Sequence, residues 1–405
     1  PVSNAEVRLE SNQVASSLDG EHLMSKAMTD ENGIYELEIG EETPSRLVPF
    51  KNDGHRTGVS TLDLLKVARH VLGIRPLTSA YQYIAADVTN DGRVSTADML
   101  HIQRLVLGVY AEFPKSNSWR FVKRDFNFGD LDYILKNGFP ESYDLSQMDL
   151  SEPMDDLDFI AIKIGDLNPD YGSKLRGGNS SSETLSLKTE DQILIPGTQI
   201  EVTIKADDFN KVFGFQQELA FDPNQMTLRD IQYHDALDIS EDNFGLHRID
   251  DGMITTSWYD LDSKSIEADE TIFTLVFDVH RSGQLSDILA ISSNEIVTEA
   301  YFSDDRIGDV QFIFENDTND FDITDLAPNP FRNETLLKFS VPATGDVQVT
   351  ISDISGRLIN QRNLQATKGE NQIAFKESEL NGAGIYIIKL DYKEHTALRK
   401  MVLIE

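Results

Sequence analysis

The chain has 405 residues and a mass of 45.5 kDa, enough for roughly two to four domains rather than one hydrophobic core. Its 40% apolar and 26% charged composition is that of a folding chain and excludes wholesale disorder. A formal charge of −33 repels a phosphate backbone and argues against nucleic-acid binding, and the lack of cysteine removes disulfides, thiolate metal sites and cysteine nucleophiles.

Pro1 opens the chain where a start Met or signal peptide would stand, and no apolar run approaches the roughly 18 to 20 residues of a spanning helix. The chain reads as a mature or trimmed piece. Residues 1–50 alternate with period two, as in Ala5, Val7 and Leu9 and again in Tyr35, Leu37 and Ile39, which predicts half-buried strands. Thr29 to Gly33 supply turn chemistry between them.

A repeat follows. Val59 to Gly73 recurs 35 residues later as Val94 to Gly108, with nine of 15 positions identical. Leu64, Val67, Ala68 and Val71 in one copy, and Met99, Ile102 and Val106 in the other, fall at helical spacing after a Ser-Thr cap and before a terminal Gly. Two short helices are predicted, in a module spanning 51–114. Residues 115–173 form an acidic extension, with eight acids and one base between Tyr143 and Tyr171, a solvated face by composition. Within it, Asp156 to Asp166 reads as a degenerate third helix of the same kind or as a strand.

Gly177 to Ser182 reads as a flexible linker. Beyond it, Ile200, Val202 and Ile204, and later Phe273, Leu275, Phe277 and Val279, alternate with polar neighbours and predict an all-β domain over 185–314. The polar stretch 315–325 is a second linker candidate. Residues 326–405 predict another β unit, near +1 in charge against −34 for the rest of the chain.

Ahead of the second helix, Asp87, Thr89, Asp91, Ser95 and Asp98 place oxygen side chains at positions 1, 3, 5, 9 and 12 of a loop, with Gly92 at position 6 and the Arg93 carbonyl at position 7. That spacing wraps a hard cation in EF-hand loops, so calcium is the expected metal. A turn that merely caps the helix is the alternative. In the first copy the surviving candidates are Asn52, Ser60 and Asp63, with Asp53 a replacement for a lost ligand. Asp166, Asn168 and Asp170 repeat only the start of such a loop and read as a plain acidic turn.

Several segments resemble known families. Residues 1–50 resemble a truncated carboxypeptidase-regulatory-like or B-repeat sandwich, through the turn ending Asn32-Gly33 and the strand after it. The paired loop–helix repeats resemble a type I dockerin, which implies calcium as cofactor and a cohesin partner met by the hydroxyl pairs Ser60, Thr61, Ser95 and Thr96. Residues 185–314, with Gly214 to Pro223 and Ile254 to Trp258, resemble a cohesin sandwich. Pro328-Asn329-Pro330-Phe331, then Asp353 with Gly356 and Arg357, then Gly384 and Tyr386, then Lys400, follow the order of a type A sorting domain of the type IX secretion system. That resemblance implies export across the outer membrane of a Bacteroidota-type bacterium.

Enzyme motifs are missing: the eight His residues show no metalloprotease spacing, and there is no nucleophile elbow or phosphate loop. Trp258, Tyr259 and Asp260 suit either a carbohydrate groove or a core. The expected fold is mainly β and multidomain, with Ig-like or jelly-roll sandwiches around a small α-helical module of paired EF-hand-like loops. The expected function is that of a non-enzymatic, secreted, cell-surface or extracellular scaffold. Its dockerin-like and cohesin-like parts are expected to meet within the chain or between chains, and a contact that does not close propagates into filaments. The alternative is the anchoring tail of a larger secreted enzyme or adhesin.

Overall fold

Val7 and Leu9 turn one face of β1 (Glu6–Ser11) inward, and the strand pairs antiparallel with β2 (His22–Met28) and β3 (Arg46–Phe50). Arg46 and Leu47 pair in turn with Asp144 and Tyr143, so the acidic extension supplies the edge of this sheet and Tyr143 and Leu145 join its core. The computed structural model describes residues 1–11, 22–39, 44–129, 131, 134–150, 153–168, 180–303, 306–316, 321–342, 344–367, 369–393 and 395–404. Residues 34–39 form no strand, against their alternation. Tyr35 and Leu37 pack on the core without joining the sheet, with the Tyr35 hydroxyl donating to the Leu157 carbonyl.

The repeats form α1 (Thr61–Val71) and α3 (Thr96–Val106), with α2 (Ala80–Ala86) between them. Ser60 and Ser95 cap the long helices, each in a reciprocal box with the Asp three residues on. Leu64, Val67, Ile84, Ile102, Leu105 and Val106 close a core that also takes Phe113, Ile162 and Ile164.

Those last two residues decide between the two readings of 156–166, helix or strand. The segment contains β5 (Phe159–Lys163), antiparallel to β4 (Trp119–Lys123). Ile160, Ile162 and Ile164 face the helices, while Phe159 and Ala161 pack with Ala5, Trp119 and Phe121. Burial of both faces with period two selects a strand.

The next domain begins with β6 (Ser180–Asp191), so Ser180 to Ser182 open a strand and only 177–179 of the linker reading lie outside the described residues. Its spine is the 22-residue β7 (Gln199–Ala220). The first half of β7 pairs with β10 (Thr271–Val279), which pairs with β8 (Met226–Tyr233). Its second half pairs with β9 (Met253–Ile266) on one side and β11 (Glu299–Tyr301) on the other, and β12 (Ile307–Asn316) follows β11. One strand thus runs through both layers of a sandwich. Val202, Ile204, Phe273, Leu275 and Phe277 meet Phe215, Leu219, Ile254 and Trp258 in its core. Trp258 is 3% exposed and donates through Nε1 to the Leu237 carbonyl at 2.7 Å, a core role rather than a groove.

The chain divides into two compact units, Pro1–Thr189 with Ile193–Phe314, and Glu190–Gln192 with Glu315–Glu405. In the second, β13 (Asp322–Ala327), β14 (Glu334–Val341) and β17 (Gly369–Lys376) form one sheet. The other is β16 (Leu358–Ala366), β15 (Gly345–Asp353), β18 (Gly384–Tyr392) and β19 (His395–Leu403), in that order. Part of the second linker candidate is therefore strand β13, and 317–320 lie outside the described residues.

Candidate functional site

A helix that is apolar on two sides marks the site. In α1, Leu64, Val67 and Ala68 serve the helical core, whereas Leu62 and Leu65 form a separate cluster with Tyr301 and are joined there by Phe213, Tyr259, Leu261 and Ile307. Leu62, Leu65 and Arg69 lie at i, i+3 and i+7, one helical face. Arg69 continues it, stacking over the Phe213 ring at 4.7 Å and donating to the Leu261 carbonyl at 3.1 Å.

The surface beneath is the outer face of the β7–β9–β11 layer. Period two turns Gln216, Glu218, Thr255, Ser257 and Glu299 away from the sandwich core, yet all five are at most 3% exposed. Polar groups hidden this way need partners. The Thr61 amide donates to Gln216 Oε1 at 2.7 Å, and the Thr61 and Ser257 hydroxyls share a bond of 2.7 Å. Thr255 Oγ1 donates at 2.8 Å to the carbonyl of Leu107, at the C-terminus of α3, satisfying an orphan acceptor of that helix. The Glu218 carboxylate accepts from the Asn294 and Glu295 amides at 3.2 and 2.9 Å. Glu295, so placed, takes ion pairs from Arg56 of the repeat module and Arg248 of the sandwich. The approach is close enough to require Gly245, where a Cβ would lie 2.1 Å from the Leu107 oxygen.

The four hydroxyl residues named from the sequence therefore divide. Thr61 is at the contact, while Ser60 is buried in the cap of α1, bonding Asp63. Ser95 caps α3 and Thr96 is exposed, and neither contacts the sandwich among the described hydrogen bonds. Within the chain it is the first repeat, not the second, that faces the sheet with its helix start. Ala97, Leu100 and Arg104, equivalent in the repeat to Leu62, Leu65 and Arg69, are exposed.

In the second loop, Asp87 is 1% exposed and accepts from the Asp91 and Gly92 amides, each at 3.0 Å. Gly92 has φ +80 there, the conformation its position demands. Asp98 accepts from the Thr89 amide and hydroxyl on one oxygen and from the Ser95 amide and hydroxyl on the other. Burial pushes the Asp87 carboxyl above its usual range, and the charges of Asp98 and Asp91 add to this against the pull of the two amides. Arg93 keeps its side chain exposed, which leaves position 7 to its backbone. Among the described residues no three His, Asp or Glu side chains converge as a metal cluster. The oxygens gathered here suit a hard cation in kind, and each bonded carboxylate oxygen retains a second lone pair.

The first loop offers fewer side-chain oxygens than the second, with Arg56 where Asp91 stands. Asp63 spends one oxygen on the Ser60 amide and hydroxyl and the other on the Leu167 amide at 2.7 Å. The Asn52 carbonyl accepts from the Ser118 amide at 2.8 Å, and Asp53 is bound by the Lys51 ammonium at 3.0 Å. Gly54 stands where Thr89 does in the second loop, so the first has no side chain at that position.

In the terminal unit the four sequence blocks gather at one end of the β15–β18–β19 sheet. Asn329 donates to the Lys400 carbonyl and accepts from the Val402 amide, each at 2.8 Å, while Phe331, buried, bridges Leu403. Pro328 and Pro330 flank Asn329. Asp353 accepts from Ser355 and from the Arg357 amide around Gly356, whose φ is +82. Across the sheet Asp353 pairs with Tyr386, Tyr386 with Met401, and Gly384 with Leu403. The Lys400 side chain is exposed.

Comparison with known proteins agrees with this division. Residues 184–310 match the model of the cohesin domain, and residues 325–405 that of the secretion system C-terminal sorting domain. No curated protein matches the chain. Similar solved structures include the third cohesin of ScaC from Acetivibrio cellulolyticus, in complex with the ScaB dockerin (14% identity, 33% of this chain and 97% of that one, TM-score 0.24). The cohesin CaCohA2 from Clostridium acetobutylicum is another (16% identity, 34% and 96%, TM-score 0.24). PorZ, a surface component of the type-IX secretion system of Porphyromonas gingivalis, is similar over 20% of this chain and 11% of that one (18% identity, TM-score 0.16). Among the described residues no helix is long and apolar enough to cross a membrane. The chain thus carries a cohesin domain and, at its C-terminal end, a secretion-system sorting domain, which mark it as a secreted, cell-surface protein.

Proposed function

We propose that the chain is a non-enzymatic assembly protein of the cell surface whose cohesin domain is engaged by the chain's own dockerin-like repeats, an internal clasp that calcium in the Asp87–Asp98 loop keeps in shape. The observation that carries this reading is the polar row of Gln216, Thr255 and Ser257, sealed beneath α1 and the end of α3 and bonded to Thr61 and Leu107. A sheet face of this composition would be solvated if nothing covered it. Partner recognition is then first of all recognition within the chain, and the sorting domain delivers the closed form outside the cell.

Asp87, Asp91 and Asp98 with Thr89, Ser95 and the Arg93 carbonyl would hold the ion. Calcium offsets their mutual repulsion and fixes the loop that starts α3. Extracellular loops of this type bind with dissociation constants of about 10⁻⁴ to 10⁻³ M, and at 100 times that constant one site adds about 2.7 kcal/mol. Calcium is expected to raise the melting midpoint of the full chain, and Asp87→Ala with Asp98→Ala to remove most of that shift. The same chain with Thr255→Cys, a lone thiol in a cysteine-free protein under the end of α3, should be labelled faster in chelator than in calcium. A calcium shift that survives the double substitution would remove the second loop from the proposal. Labelling as fast as that of a free thiol in calcium would remove the clasp.

A further inference from the structure

The first loop raises a question the second does not. Its position-12 carboxylate, Asp63, is wholly buried, as is Asp98 in the second loop, and Asp166 beside it is 6% exposed. Buried carboxylates demand compensating positive charge. The loop's own sequence lacks the second loop's side-chain oxygens at positions 3 and 5, where Gly54 and Arg56 stand, yet its helix cap is kept: Ser60 and Asp63 form the same capping box as Ser95 and Asp98.

The missing parts come from another segment. The turn after β5 presses on the loop at Gly165, where a Cβ would lie 2.9 Å from Val59 and 3.0 Å from Phe113. It delivers the Leu167 amide to Asp63 Oδ1 at 2.7 Å, the bond that Thr89 makes to Asp98 from within the second loop. It also delivers Lys163, whose side chain is buried and whose Nζ donates to the His55 carbonyl of the first loop at 2.8 Å and to the Ile164 carbonyl at 3.3 Å. Burial pulls the Lys163 ammonium down to about 8, against the opposing pull of Asp166, Asp63 and Asp53, in that order. Lys51 also bonds Asp53, at 3.0 Å.

We infer that the Lys163 ammonium is the resident cation of the first loop, set there by β5 in place of a metal ion, so that this half of the repeat module is held together by a residue of the chain. The two repeats then differ in kind. The half that seats Thr61 and Leu65 on the cohesin sheet stays folded whether or not calcium is present, and only the α3 half answers to the ion. The placing of Lys163 needs the loop geometry alone, and only the contrast with the α3 half rests on the proposed calcium in the second loop.

The test is made on the full chain in chelator. Lys163→Met keeps an unbranched side chain one atom shorter and deletes its charge, and is expected to lower the melting midpoint by roughly 5–10 °C. Asp63→Asn in that background should cost clearly less than it does in the native chain, because the charge it deletes has already lost its partner. Effects that simply add would overturn the inference. Calcium uptake by equilibrium dialysis keeps it testable if Lys163→Met fails to fold. With Asp87→Asn and Asp98→Asn in place, no bound calcium should remain, and a remaining equivalent that Asp63→Asn abolishes would put a metal where we place Lys163. A native chain that binds no calcium would refute the reading of the second loop and leave the Lys163 result to be decided by the coupling.

Discussion

Leu65→Asp is expected to lift α1 from the cohesin sheet while the helical core stays folded. Leu65 is fully buried, but its neighbours are Leu62 and Tyr301 rather than the Leu64 and Val67 side of the helix. Truncating a buried Leu costs about 2–5 kcal/mol, and a carboxylate placed there must in addition be desolvated or draw water into the contact. At about 3 kcal/mol the open form rises roughly 100-fold in population. Thiol labelling of Ser257→Cys, with Ser257 at 1% exposure in the closed form, reads that rise directly. Leu64→Asp is the contrast: it strikes the helical core, so helical circular dichroism should fall with it and hold with Leu65→Asp. Equal labelling rates with and without Leu65→Asp would mean that this face is not held by the helix.

The second large effect concerns export. Removing 321–405, from the residue before β13 onward, should leave the cohesin domain folded and abolish its delivery to the cell surface. The two units have separate cores with no residue in common, and domains with their own cores fold alone as a rule. The cut is made before β13 because that strand pairs with β14, although the family match begins at 325. A milder probe is Asn329→Ala, which deletes the two bonds tying the Pro-Asn-Pro-Phe block to Lys400 and Val402. Surface protein measured by immunoblot of a type IX-competent host should fall to background with the deletion. The truncated chain should still melt cooperatively near the native midpoint of its unit. Normal surface levels without the unit would contradict the sorting assignment.

Much of this was legible in the sequence. The repeat spelled out α1 and α3 with their caps because cap, apolar period and terminal Gly all lie within 15 residues. The alternation of Ile200 to Ile204 and Phe273 to Val279 gave the sandwich strands for the same local reason. What escaped were features set by distant partners. The stripe Leu62, Leu65 and Arg69 looks like any helix surface until Tyr301 and Phe213 are brought to it from more than 140 residues away. Gln216, Glu218, Thr255 and Ser257 alternate outward as a solvated face would, and only the covering helix makes them a site. One signal was present: the run Gln216-Gln217-Glu218 is oddly polar for a strand in the middle of a layer. Tyr35 to Ile39 had the strand pattern without a neighbour, and Tyr143 reached the first sheet from the acidic extension. Lys163, the one base between Tyr143 and Tyr171, carried no period to mark it.

The clasp itself is tested most directly by cutting the chain between its two parts. A protease site inserted after Gly178 separates the repeat module from the cohesin domain in sequence without touching a residue of the contact. After cleavage in calcium, native mass spectrometry and size exclusion should recover the two pieces as one 1:1 particle of unchanged mass. Gly245→Val, which sets a side chain against the Leu107 carbonyl where even a Cβ would lie at 2.1 Å, should make the cleaved pieces part. Cleaved pieces of the native sequence that separate at micromolar concentration, each still folded, would contradict the internal clasp.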